Sequence, residues 1–232
     1  MNAPAFDRLL PALLLALTAV TGFVDAVSYL ALGHVFTANM TGNVVFLGFA
    51  IAATEGLSIH RSGAALGAFA VGATIGGVLT ARMSSGPRHR WTSLAFSIEA
   101  TLLLAAAAVA TRGGNDPLSD PARLYGLIVL TGVAMGVRNS AVRKLAERDL
   151  TTTVLTLTIT GLAADSSIAG GASPGWTRRA ASVLLMFAGA AAGAVLLRYS
   201  VALPIAVAGV ISGLCALGAR VAGFSGAGRY GG

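Results

Sequence analysis

A chain of 232 residues that is 55% hydrophobic, 11% charged and +0.78 in mean hydropathy is too apolar for a soluble domain, in which about 25% of residues are charged. It reads as an all-α membrane protein with room for at most about eight crossings at roughly 20 residues each. The net charge of +7 comes from arginines scattered through short connections, which is the pattern of membrane loops rather than of a nucleic-acid surface.

The lone Cys215 allows no intramolecular disulfide, and His34, His60 and His89 are too far apart in sequence to suggest a metal centre. No cofactor is expected. The chain has no His-Glu-x-x-His, no phosphate loop and no nucleophile motif, so it is not expected to be an enzyme.

In chain order, residues 9–32 form a first span, too long for the apolar core of a signal peptide, with Asp25 inside it. Residues 37–56 begin with Thr37, Asn39, Thr41 and Asn43 and continue as an apolar run. The span 62–80 carries Gly63, Gly67, Gly72 and Gly76, spaced for close helix packing. After a basic turn at Gly86-Pro87, the span 91–110 holds Glu99, and 113–123 is a Gly/Asn/Pro connection.

The second half opens with the span 124–141. Arg138 is expected to snorkel to the membrane edge, and Arg143 to Asp149 to form a solvated loop. Residues 150–166 are rich in threonine (Thr151, Thr152, Thr153, Thr156, Thr158 and Thr160) and have the texture of 37–56. Spans 178–197, with Gly189 and Gly193, and 201–221 follow, and 223–232 is a glycine-rich, flexible tail.

Three matches in order suggest an internal duplication of 1–112 in 124–222. Gly22-Phe-Val-Asp25 pairs with Gly136-Val-Arg-Asn139, Met40–Asn43 with Leu155–Thr158, and Gly72/Gly76 with Gly189/Gly193. If every apolar segment crosses, there are eight spans in two parallel repeats, and the 16 Lys and Arg divide eight against eight. If the two polar-headed segments enter and leave on one side, there are six spans in two inverted repeats. Only Arg61, Arg112, Arg123 and Arg198 then lie opposite the N-terminus, which is 16 minus 4, or 12 against 4. The positive-inside rule favours the second arrangement, with a cytoplasmic N-terminus.

Gly22-Phe-Val-Asp25-Ala-Val-Ser-Tyr29, Phe36-Thr-Ala-Asn39-Met-Thr-Gly-Asn43, Met135-Gly-Val-Arg-Asn139 and Thr152-Thr-Val-Leu-Thr156 resemble the YoaK family of small bacterial membrane proteins. Leu157 stands where the likeness would put a glycine. The resemblance implies a bacterial inner-membrane location and about six membrane helices. It supplies no substrate.

Two helix N-termini near the midplane would offer free N–H groups and partial positive charge. Together with Asn39, Thr41, Asn43, Asn139, Thr152, Thr153, Thr156 and Thr158 they are expected to bind a small polar or anionic solute, in a transporter or channel. Asp25 and Glu99 are the coupling candidates, as intramembrane carboxylates. A non-transporting scaffold is the alternative, and the glycine faces could join a homo-oligomer.

Overall fold

Eight α-helices and no strand are found among the residues that the computed structural model describes: 5–112, 116–145, 155–167, 170–171 and 175–227. They are α1 (Ala5–Ala31), α2 (Met40–Ile51), α3 (Ile59–Arg82), α4 (Arg88–Ala110), α5 (Pro121–Leu145), α6 (Leu155–Ala164), α7 (Trp176–Leu197) and α8 (Ala202–Ala227). Six of them, all but α2 and α6, are long and apolar enough to cross a membrane. The other two, of 12 and 10 residues, reach about 18 and 15 Å at ~1.5 Å per residue, short of a hydrocarbon core ~30 Å thick.

Two helix ends differ from expectation. The α5 helix continues to Leu145 and takes in Arg143 and Lys144, the start of the expected loop. Cations suit the negative end of a helix, and Arg88 donates to the Leu145 carbonyl at 3.0 Å. The α8 helix runs past Gly223 to Ala227, where a tail was expected. Its end is held by His89, whose ring lies against the backbone of Gly223 and 6.4 Å from the ring of Phe224.

End contacts fix the directions of the helices. At one face Asp7 of α1 pairs with Arg88 of α4, and Arg88 reaches the last carbonyl of α5. At the other, Arg123 of α5 donates to Ala110 of α4 at 2.6 Å, Gly33 lies against Arg61, and the end of α1 shares a cavity wall with Arg198 and Val201. Thus α1, α4 and α7 start at the N-terminal face, and α3, α5 and α8 start at the opposite one.

The pairings recur across the two halves of the chain. The α1 helix packs on α7 as α5 packs on α3, α1 meets α8 as α5 meets α4, and α2 lies on α3 as α6 lies on α7. Glycine makes the tightest of these contacts possible. A β-carbon on Gly22 would strike the Met186 carbonyl and one on Gly189 the Ala19 carbonyl; likewise Gly136 meets Phe69 and Gly72 meets Val133. In lipid, where apolar burial gives little driving force, such backbone approach carries the packing. Gly63 and Gly67 face open space.

Candidate functional site

The Asn-Met-Thr-Gly-Asn run folds the chain back on itself. After α1 the backbone turns at Gly33 and His34, with φ of 80° and 59°, a region that suits glycine and strains histidine. The ring of Phe36 then lies flat over Gly42, where any side chain would clash. Asn43 clasps the same residue: its Oδ1 accepts from the Phe36 N–H at 2.9 Å and its Nδ2 donates to the Phe36 carbonyl. Tyr29, Phe36 and Phe46 stack behind this clasp. Gly42 and Asn43 therefore shape the turn, and Asn39, Met40 and Thr41 are left at its tip.

That tip opens into a cavity of about 530 Å³, lined by Ala38, Asn39, Met40 and Thr41, by Phe69 and Ala73 of α3, and by Asn139, Ser140, Val142 and Arg143 of α5. Its size is typical of small-molecule sites. Phe69 and Ala73 lie midway along α3, so the start of α2 sits at mid-depth of the bundle. Asn39 holds the N-cap position, but its side chain caps nothing. The cavity therefore gathers amides, hydroxyls, one guanidinium and the first N–H groups of α2, groups left free at any helix start.

Of the residues expected in a site, Asn39, Thr41 and Asn139 meet here. Asn139 also donates to the Met135 carbonyl of its own helix at 2.9 Å. Asn43 is buried in its clasp and lines no part of the cavity. Thr156 and Thr158 sit on α6 beside α7 and are not in the cavity wall; Thr156 is exposed, and its carbonyl accepts from Thr160 at 2.8 Å. Thr152 and Thr153 lie outside the described residues.

Behind the cavity lies a charged centre. Arg138 does not snorkel: its side chain is fully buried, because α1 and α4 close over it. It donates to Glu99 of α4 at 3.1 Å, to the Leu17 carbonyl at 3.0 Å and to the Thr21 hydroxyl at 2.7 Å. Ser212 of α8 approaches Glu99 outside hydrogen-bonding geometry.

Asp25, 7% exposed, faces Arg138 and the backbone amide of Ala38, and its Oδ1 has no hydrogen-bond partner. Two buried carboxylates thus share one arginine, and Ala38 separates Asp25 from the cavity. Ser140, Arg143 and the burial of Arg138 were missed in the sequence. The available signal was an arginine inside a predicted span while two other spans each held a carboxylate. Among the described residues no cluster of His, Cys, Asp or Glu could hold a metal ion.

Residues 13–218 match the family described as "Protein of unknown function (DUF1275)". The chain belongs to the DUF1275 family. A curated relative, the UPF0700 transmembrane protein YoaK of Bacillus subtilis (strain 168), is 35% identical over 167 residues, covering 72% of this chain and 70% of the relative. The resemblance drawn from the Asn-Met-Thr-Gly-Asn run is thereby borne out. No solved structure matches the chain. This DUF1275 chain is a multi-pass membrane protein, and the matched region contains both the cavity and the Arg138–Glu99 pair.

Proposed function

We propose that the protein is a transporter for a small polar or anionic solute, bound between the start of α2 and the helices α3 and α5. The observation that carries this reading is the cavity itself, in which Asn39, Thr41, Asn139 and Ser140 converge on an uncapped helix start at mid-depth, with Arg143 toward the N-terminal face. Polar groups at that depth are costly unless something satisfies them, and an apolar guest would not.

In this reading the halves are inverted repeats of three spans, and α2 and α6 re-enter the bilayer without crossing it. The matched glycine contacts and the opposed directions of α1 and α5, α3 and α7, and α4 and α8 support that symmetry. So does the charge distribution: Arg61, Arg112, Arg123 and Arg198 lie at helix ends opposite the N-terminal face, which carries most of the other described cations. The N-terminus is then cytoplasmic and the membrane the bacterial inner membrane. Broken helices at the midplane of inverted repeats are a common way to build a transport site. Asp25 couples the site to protons in this scheme, since it adjoins Ala38 of the cavity wall, whereas Glu99, which also keeps one oxygen unpaired, is bonded to Arg138.

A scaffold is the second reading, favoured by one observation: Asn43 spends both ends of its amide on the turn. Ligand-dependent stabilisation of the purified protein, lost when cavity side chains are removed, separates the two.

A further inference from the structure

A second basic cavity lies at the N-terminal face, away from the α2 site. It has a volume of about 350 Å³ and is walled by His89, Arg90, Ser97, Arg220 and Phe224 of α4 and α8. Arg90 and Arg220 are exposed, and among the described residues neither has an acidic partner. Ser93, at its floor, donates to the Ala216 carbonyl at 2.9 Å and ties the two helices together. His89 is wedged between the rings of Phe6 and Phe224, with Gly223 leaving room for it.

The cavity continues into a groove of about 280 Å³ that shares Ser93, Ser97 and Arg220 and runs on to Thr101, Gly213 and Leu217. From His89 to Thr101 the groove follows α4 for about 18 Å at ~1.5 Å per residue, roughly the depth of one leaflet's hydrocarbon. Its far end is lined by Ala100, Gly213 and Leu217, and a β-carbon on Gly213 would meet only Ala100, at 3.8 Å.

The geometry points to a specific site for an anionic phospholipid, with its phosphate between Arg90 and Arg220 and one acyl chain in the α4–α8 groove. Charge complementarity selects the headgroup: two arginines without acidic partners at a membrane face attract phosphate, and basic pockets between helices hold such lipids. The groove supplies what a free phosphate would not use. This site does not depend on the transport reading.

The test is native mass spectrometry of the full chain in detergent, titrated with phosphatidylglycerol, phosphatidylcholine or glycerol phosphate. Phosphatidylglycerol is expected to be retained roughly tenfold or more over phosphatidylcholine, and Arg90→Gln/Arg220→Gln to remove that preference. Gly213→Leu, which fills the groove and keeps both arginines, should lower phosphatidylglycerol retention by itself and decides the matter if the double variant fails to fold. Arg82→Gln, at the same face but outside the pocket, should leave retention unchanged. Equal retention of the two lipids would overturn the assignment. So would an undiminished Gly213→Leu, an Arg82→Gln as weak as the pair, or glycerol phosphate displacing the lipid at equal concentration.

Discussion

The guanidinium of Arg138 donates to Glu99 at 3.1 Å with both side chains wholly buried; two further bonds run to α1, and its Nε has no partner. This pair joins α1, α4 and α5 where both side chains are shut off from solvent. Breaking such a pair from one side costs about 3–5 kcal/mol, while replacing both partners by apolar groups is often nearly neutral. Glu99→Gln and Arg138→Met should therefore each lower thermal stability in detergent sharply, and Arg138→Met/Glu99→Leu should regain part of the loss, Asp25 being left without its cation. Asp25→Asn should behave differently. It keeps an acceptor for the Ala38 amide, so stability should fall by no more than about 1 kcal/mol, while any pH dependence of uptake disappears.

The four glycines at the crossing points make a second expectation. Gly22→Val and Gly136→Val would each drive a side chain into a facing backbone, and overpacking of this kind costs roughly 1–3 kcal/mol or more. Gly67→Val points into open space and should stay within about 0.5 kcal/mol of the parent. Unfolding midpoints of the purified variants give the comparison directly. Equal effects at all three positions would remove the close-packing argument.

Much of the fold was legible because a span announces itself by length and apolarity, and the six long helices fall where the apolar runs do. The small-residue pairs at Gly72/Gly76 and Gly189/Gly193 were legible too, although Gly63/Gly67, with the same spacing, face open space. The roles of Arg138 and Asn43 were not. A lone arginine near a span's end reads first as a snorkelling residue, and only the helices that close over Arg138 bury it. Asn43 has the same chemistry as Asn39, yet the turn at Gly33-His34 puts one into a backbone clasp and the other at the cavity. Such a division depends on tertiary geometry, which residue type and spacing do not encode.

Membrane sidedness yields a third prediction. Gly33 lies against Arg61, so the end of α1 and the start of α3 share a face. Cysteine labelling in intact cells should find Glu55–Arg61 outside, and Asp165 and Arg179, which pair at 2.6 Å, in the cytoplasm with the N-terminus. Labelling of residues 55–61 from the same side as the N-terminus would restore eight crossings and end the inverted-repeat reading.

The most direct measurement is a thermal-shift screen of the purified protein against classes of small polar and anionic metabolites, run in parallel on Asn39→Ala, Asn139→Ala and Thr156→Val. A solute that binds the native state stabilises it by about 2.7 kcal/mol at a hundredfold excess over Kd. That shift is expected in the parent and in Thr156→Val, whose side chain lies outside the cavity wall. It should be lost in the two cavity variants, with their unliganded stability little changed. If no solute shifts the parent and the cavity variants simply unfold earlier, the polar groups at the start of α2 hold helices together and the transport reading fails.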